Sequence, residues 1–197
     1  MCAALVLNER ANRTPAPAPV HVYHPAPPRA PSLSPAAEAA EWFRRIKPYC
    51  NSVEITTVKR SMQPLTTVEG VGYHAACLGL AGRIDDARRA IDALDANDRA
   101  GAANIVFAIG HPVADAGDDR SAGPMMELVV DYIPSHYMAV YHAGMAEYML
   151  GQRDLARRNL TEFLRQYSPN DGWRTNAQDV LRRLDDPNAD PRRPREP

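Results

Sequence analysis

His136–Tyr167, HYMAVYHAGMAEYMLGQRDLARRNLTEFLRQY, is the stretch whose reading decides the fold. It reads as two helices hinged at Gly151. Ser135 is placed to cap the first helix, because a hydroxyl can accept a bond from a free amide of the first turn. Gly151 can close that helix, since glycine enters the left-handed region without steric cost. Leu155, Ala156, Leu160, Phe163 and Leu164 then form an apolar stripe at helical spacing. Two hinged helices cannot bury both apolar faces by themselves, so the unit requires neighbours of its own kind.

Sliding the chain against itself supplies them. Gly82, Gly117 and Gly151 are spaced 35 and 34 residues apart. Ala87, Ala122 and Ala156 each follow a glycine by five residues. Ile91, Met126 and Leu160 come four later, and Leu94, Val129 and Phe163 three after that. Upstream, Ala75, Gly110 and Gly144 precede each glycine by seven residues, and Val71, Val106 and Val140 by eleven. Small and apolar positions therefore agree in register across three units.

This register resembles the tetratricopeptide repeat, a helix-turn-helix unit of about 34 residues. The resemblance covers roughly residues 68–169. Its closing proline is matched by Pro134, while Pro169 comes one residue late and Arg99 stands in the first unit. The family's tryptophan and tyrosine signatures are missing, which marks a divergent member. The resemblance implies an all-α helical repeat, an α-solenoid of about three helix pairs. It also implies that the first helix of each pair lines a groove. Carried over by register, the groove residues are Tyr73, Ala76, Phe107, His111, Tyr141, His142, Met145 and Tyr148. Aromatic and methionine side chains with polar tips suit a peptide groove. The competing reading is that some of them pack against the added terminal helices. No Lys or Arg falls on these positions, so the family's basic clamp for peptide carboxylates is not visible.

Around the repeat, the chain divides into three parts. Of 18 prolines, eight lie between Pro15 and Pro35 and four between Pro187 and Pro197. Residues 1–35 read as a disordered Pro/Ala-rich segment, 36–185 as the helical domain and 186–197 as a disordered tail. Ala36–Tyr49 should form a helix burying Trp42, Phe43 and Ile46, weakened in its last turn by Pro48. Asn51 and Glu54 resemble a capping box opening a second helix through Ile55, Val58 and Met62. Residues 53–56 also alternate like a strand. Further helices are expected over 67–81, 84–95, 99–110, 122–133, 136–150, 153–167 and 171–184. The last, with Trp173 on its apolar side, should cap the array with one face in water.

The middle unit is irregular. Residues 110–124, GHPVADAGDDRSAGP, hold Pro112, which lacks the amide a helix interior needs. The expectation is a broken helix and an exposed loop bearing His111, Asp115, Asp118, Asp119 and Arg120. Clustered carboxylates suit a hard cation, but the spacing is not that of a calcium loop, and Arg120 can pair with the acids. A capped structural loop is the preferred reading.

The remaining chemistry is sparse. A net charge of -1 argues against a nucleic-acid surface. There is no P-loop, dinucleotide fingerprint, nucleophile elbow or H-E-x-x-H motif. The six histidines show no zinc-ligand spacing, so neither a metal nor a cofactor is expected. His74 and Cys77 share a helix face, where a buried thiol is a better reading than a nucleophile. Cys50 and Cys77 should lie on adjacent elements, as separate thiols in a cytosolic protein or as a disulfide in an exported one. Ala3–Leu7 is too short to span a bilayer. It reads as an ordinary start or as the end of a membrane anchor continuing upstream, so the cytoplasm is favoured while membrane tethering or a periplasmic site stays open. The functional expectation is a noncatalytic adaptor for a protein or peptide. The alternative is a small enzyme or metal- or ligand-binding domain using residues 110–124.

Overall fold

Each of the three repeat glycines ends a helix in the same way. In the computed structural model, which describes residues 33–61 and 63–186, Gly82, Gly117 and Gly151 have φ of 73°, 77° and 78°. Each glycine amide bonds three residues back, to the carbonyls of Gly79, Ala114 and Tyr148. The following amide, on Arg83, Asp118 or Gln152, reaches five back, to Leu78, Val113 or Glu147. That pair of bonds satisfies carbonyls the helix end would leave bare, and it needs a left-handed residue at the glycine position.

These stops punctuate three helix pairs. They are α3 (Val68–Leu80) with α4 (Ile84–Asp92), α5 (Ala96–Asp115) with α6 (Asp119–Tyr132), and α7 (Tyr137–Met149) with α8 (Arg153–Gln166). Before them lie α1 (Pro35–Ile46), a 3-10 turn (Lys47–Tyr49) and α2 (Ile55–Ser61); after them comes α9 (Gly172–Asp185). Among the described residues there is no strand, so the fold is an all-α helical repeat. The alternation over 53–56 resolves as a turn leading into α2, with the Asn51 Oδ1 accepting from the Glu54 amide at 3.0 Å. The proline-rich termini and Met62 lie outside the described residues.

The first helices form one layer, in which α3 packs on α5 and α5 on α7. In the other layer α4 meets α6, and Arg158 of α8 reaches Glu127 of α6. The repeat's small residues mark where the layers touch. A Cβ on Gly110 would meet Met126 Cε at 2.7 Å, and one on Gly144 would meet Leu160 Cγ at 2.8 Å. Ala87, Ala122 and Ala156 are buried in the same crossings. Arg99, standing where the repeat elsewhere has proline, donates to the carbonyls of Leu94 and Asp92 and so finishes the end of α4. Leu155, read as part of the α8 stripe, is exposed instead.

The middle unit departs from expectation. No loop spans 110–124: α5 runs through Pro112 to Asp115, and α6 starts at Asp119 and runs through Pro124. Proline removes one helical bond, to the carbonyl four residues back. Here those carbonyls belong to Ala108 and Arg120, both on the solvent side, as are the prolines themselves. Water can take each freed carbonyl, while Val106, Gly110, Ala122 and Met126 hold the buried sides together.

Both ends of the first-helix layer are covered. Phe43 of α1 stacks on Tyr73 of α3 at 5.0 Å. Cys50, just past the 3-10 turn, is joined to Cys77 of α3 by a disulfide with Cα atoms 4.9 Å apart. The separate-thiol reading, and with it the idea of a Cys77 nucleophile, is thereby corrected. At the other end, α9 lies against α8 and α7.

Candidate functional site

The continuation of α5 past Pro112 creates the most chemically loaded part of the surface. Phe107, His111 and Asp115 recur every four residues and so share one side of the helix. Phe107 and His111 stack, with ring centroids 4.9 Å apart. The neighbouring helix α7 adds two more imidazoles. His136 is its N-cap, in place of the expected Ser135: the His136 Nδ1 accepts from the Ala139 amide at 3.2 Å. Its ring lies 4.1 Å from Phe107. His142, one and a half turns further on, meets the His111 ring edge-on at 4.7 Å.

The first turn of α9 closes the group from the far side. The Asp171 carboxylate accepts from the amides of Trp173 and Arg174, which fixes that turn. Trp173 then stands edge-on to Tyr141 at 5.0 Å and to His142 at 5.9 Å. Asn176 donates to the Tyr141 hydroxyl at 2.6 Å.

Two nitrogens in this group lack partners. The Nε2 atoms of His111 and His142 are both buried without a hydrogen bond. They face the same atom, Asp115 Oδ1, at 3.7 and 3.8 Å. Burial pushes the His142 imidazole down to about 4, with His111 adding to the effect and Asp115 opposing it. Burial also lowers His136. At neutral pH both rings are therefore uncharged, and His142 and Asp115 do not form an ion pair.

On the other side of α7 lies a second polar group. Glu147 is 3% exposed and Asn159 of α8 is equally buried. The Asn159 Nδ2 donates to Glu147 Oε2 at 2.9 Å and also to Glu127 Oε1 of α6. Arg158 approaches Glu127 from outside at 3.4 Å. Burial, and then the neighbouring Glu127, push the Glu147 carboxyl up to about 8. Its second oxygen, Oε1, has no acceptor or donor opposite it. Asn159 thus joins the two carboxyls, and Glu147 Oε1 stays outside that bridge.

The residues expected to line a groove fall into two sets. Tyr141, His142 and Tyr148 are buried, and Tyr73 is half-covered by Phe43. Phe107, His111 and Met145 keep part of their surface in solvent. Register did not single out two exposed aromatics: Trp173, 38% exposed, which adjoins His142, and Tyr137, 42% exposed, in the first turn of α7. Tyr137 stacks on Tyr167 at 5.1 Å, and that contact holds its ring at the surface. The signal for Trp173 was present, but its helix position suggested burial.

The main cavities are not lined by His111, His136 or His142. One of 480 Å³ is lined by Leu65, Val71, His74, Arg89 and Leu94 and shares no residue with the histidine group. Another, of 300 Å³, separates Met145 and Tyr148 from Asn176 and Arg183. In comparisons with known proteins, no family model, no curated protein and no solved structure matches the chain. No helix among the described residues is long and apolar enough to cross a membrane.

Proposed function

We propose that the chain is a noncatalytic adaptor, a divergent relative of the tetratricopeptide repeat that binds a protein or peptide on its first-helix face. The observation that carries this reading is the exposed Trp173, set edge-on to His142, whose ring meets the half-buried His111 stacked on Phe107. Trp and Tyr are enriched among residues that dominate interface energetics, because a rigid ring buries much area at small entropic cost. The patch holds no Lys or Arg, so an apolar or aromatic anchor on the partner suits it better than a carboxylate terminus. A disulfide persists in oxidising surroundings, which supports action outside the reducing cytosol.

The test is a peptide-library selection on the full-length chain, followed by affinity measurement on point variants. Phe107→Ala and Trp173→Ala should each weaken the selected ligand by about tenfold or more. Thermal melting reports whether the variants stay folded. A ligand that binds both folded variants as tightly as the parent overturns the assignment of this face.

A further inference from the structure

We infer that His111, Asp115 and His142 form a binding site for a divalent transition-metal ion of the zinc or cobalt class, with two imidazole nitrogens and one carboxylate oxygen as ligands. The three candidate donor atoms lie within 4.8 Å of one another. In a tetrahedral site with bonds of about 2.0–2.1 Å, neighbouring ligand atoms stand about 3.4 Å apart. The two edges to Asp115 Oδ1, at 3.7 and 3.8 Å, come close to that spacing. They are too long for hydrogen bonds.

A second observation makes this more than a cluster. His142 is 6% exposed, and its Nε2, aimed at the gap, has no partner. His111 Nε2 is in the same condition. A buried nitrogen without a partner destabilises the fold, and here two of them converge on one oxygen. A cation between the three atoms removes both deficits at once. The ligand set selects among cations: paired imidazoles favour zinc, cobalt, nickel, copper or iron over magnesium or calcium, which prefer all-oxygen sites.

The scaffold holds the ligands in place beforehand. His111 and Asp115 are one helical turn apart on α5, so their spacing is set by the backbone. The His111 ring is stacked on Phe107 and the His142 ring is braced by Trp173. Three protein ligands leave a fourth coordination position for water or an outside donor. The site is independent of the adaptor reading and stands or falls separately.

The experiment uses the full-length chain without a histidine tag, stripped with chelator, and Zn2+ and Co2+ as probes. Calorimetry should give one ion per chain, and Co2+ should produce visible ligand-field bands. Asp115→Asn and His111→Ala, at partly exposed positions that can be changed without loss of the fold, should each lower affinity by at least about tenfold. His136→Asn, which keeps an N-cap acceptor, should leave affinity unchanged. Zinc should also move the nitrogen resonances of His111 and His142 and not those of His136. Binding that survives Asp115→Asn and His111→Ala places the ion elsewhere and overturns the site. Absence of binding by either ion overturns it as well, and assigns the gap to a bridging water.

Discussion

Helix α7 carries two buried polar residues five positions apart, His142 and Glu147, and their surroundings follow opposite plans. Glu147 sits in the more closed group: Asn159 donates both to it and to Glu127, and Oε1 alone is left outside that bridge. His142 sits in a looser group: its Nε2 has no hydrogen bond and stands 3.8 Å from Asp115 Oδ1, with the His111 ring edge-on beside it. Glu127 and Asn159 are second-helix residues, and Asn159 is buried between the layers. Asp115 is at the last turn of α5, with its side chain 53% exposed. Closure serves the stack, because a donor shared between α6 and α7 ties the layers together at their crossing. Openness at the first-helix face leaves capacity for something from outside.

The strongest way to break this contrast is to remove the bridge. Asn159→Ala strips the shared donor from two carboxyl groups and should destabilise the fold by about 3 kcal/mol, as read by denaturant unfolding. A loss below about 1 kcal/mol would mean the Glu147 group is not closed.

The next test uses pH, because the two residues respond in opposite senses. Glu147 is raised in the fold from an ordinary 4.5 to about 8. Its contribution is complete below the unfolded value and is lost as pH rises towards and past 8. His142 is lowered from 6.5 to about 4, so its contribution is present above 6.5 and is lost as pH falls towards 4. Between these limits the two slopes oppose each other; above 6.5 only the Glu147 slope remains. Stability should therefore drop by about 1–2 kcal/mol between pH 7 and 9. Glu147→Gln should abolish that drop, and His142→Gln should leave it in place. Equal slopes in parent and Glu147→Gln proteins would refute the buried-acid assignment.

The smallest expected effect sharpens the contrast most. Without added metal, Asp115→Asn should change stability by less than about 0.5 kcal/mol, since an exposed carboxylate beyond hydrogen-bond reach contributes little. A large loss in calorimetric melting would make Asp115 part of the structural frame and erase the difference between the two groups.

The fold was legible because three glycines impose one backbone conformation at one spacing. No other residue type does that so visibly, and the small residues seven before and five after follow from the crossings they permit. The reading failed where proline was weighed by its missing amide alone. Pro112 and Pro124 face solvent, where a lost bond is recovered by water, and only the buried side of α5 and α6 reveals that. That error hid the site. With 110–124 taken as a loop, His111 and Asp115 had no fixed spacing, although the turn-to-turn interval was in the sequence. His111 and His142 were found as face residues through register, but their approach to one another depends on how α7 packs on α5, which spacing within one helix cannot supply. Cys50 and Cys77 were placed on adjoining elements, yet adjacency alone does not distinguish two thiols from a bond.

The Cys50–Cys77 link also has a mechanical meaning. Stacked repeats usually fray stepwise from either end, each unit holding only its neighbours. Here a pull on the chain ahead of α1 passes through Cys50 directly into the last turn of α3, bypassing α2 and the turn after it. Once α1 has peeled away, the intervening segment, 27 residues in sequence separation, bears no tension while the bond is intact. The oxidised array therefore has one clamped end and one free end, and under load or partial denaturation it should unzip from α9 inward.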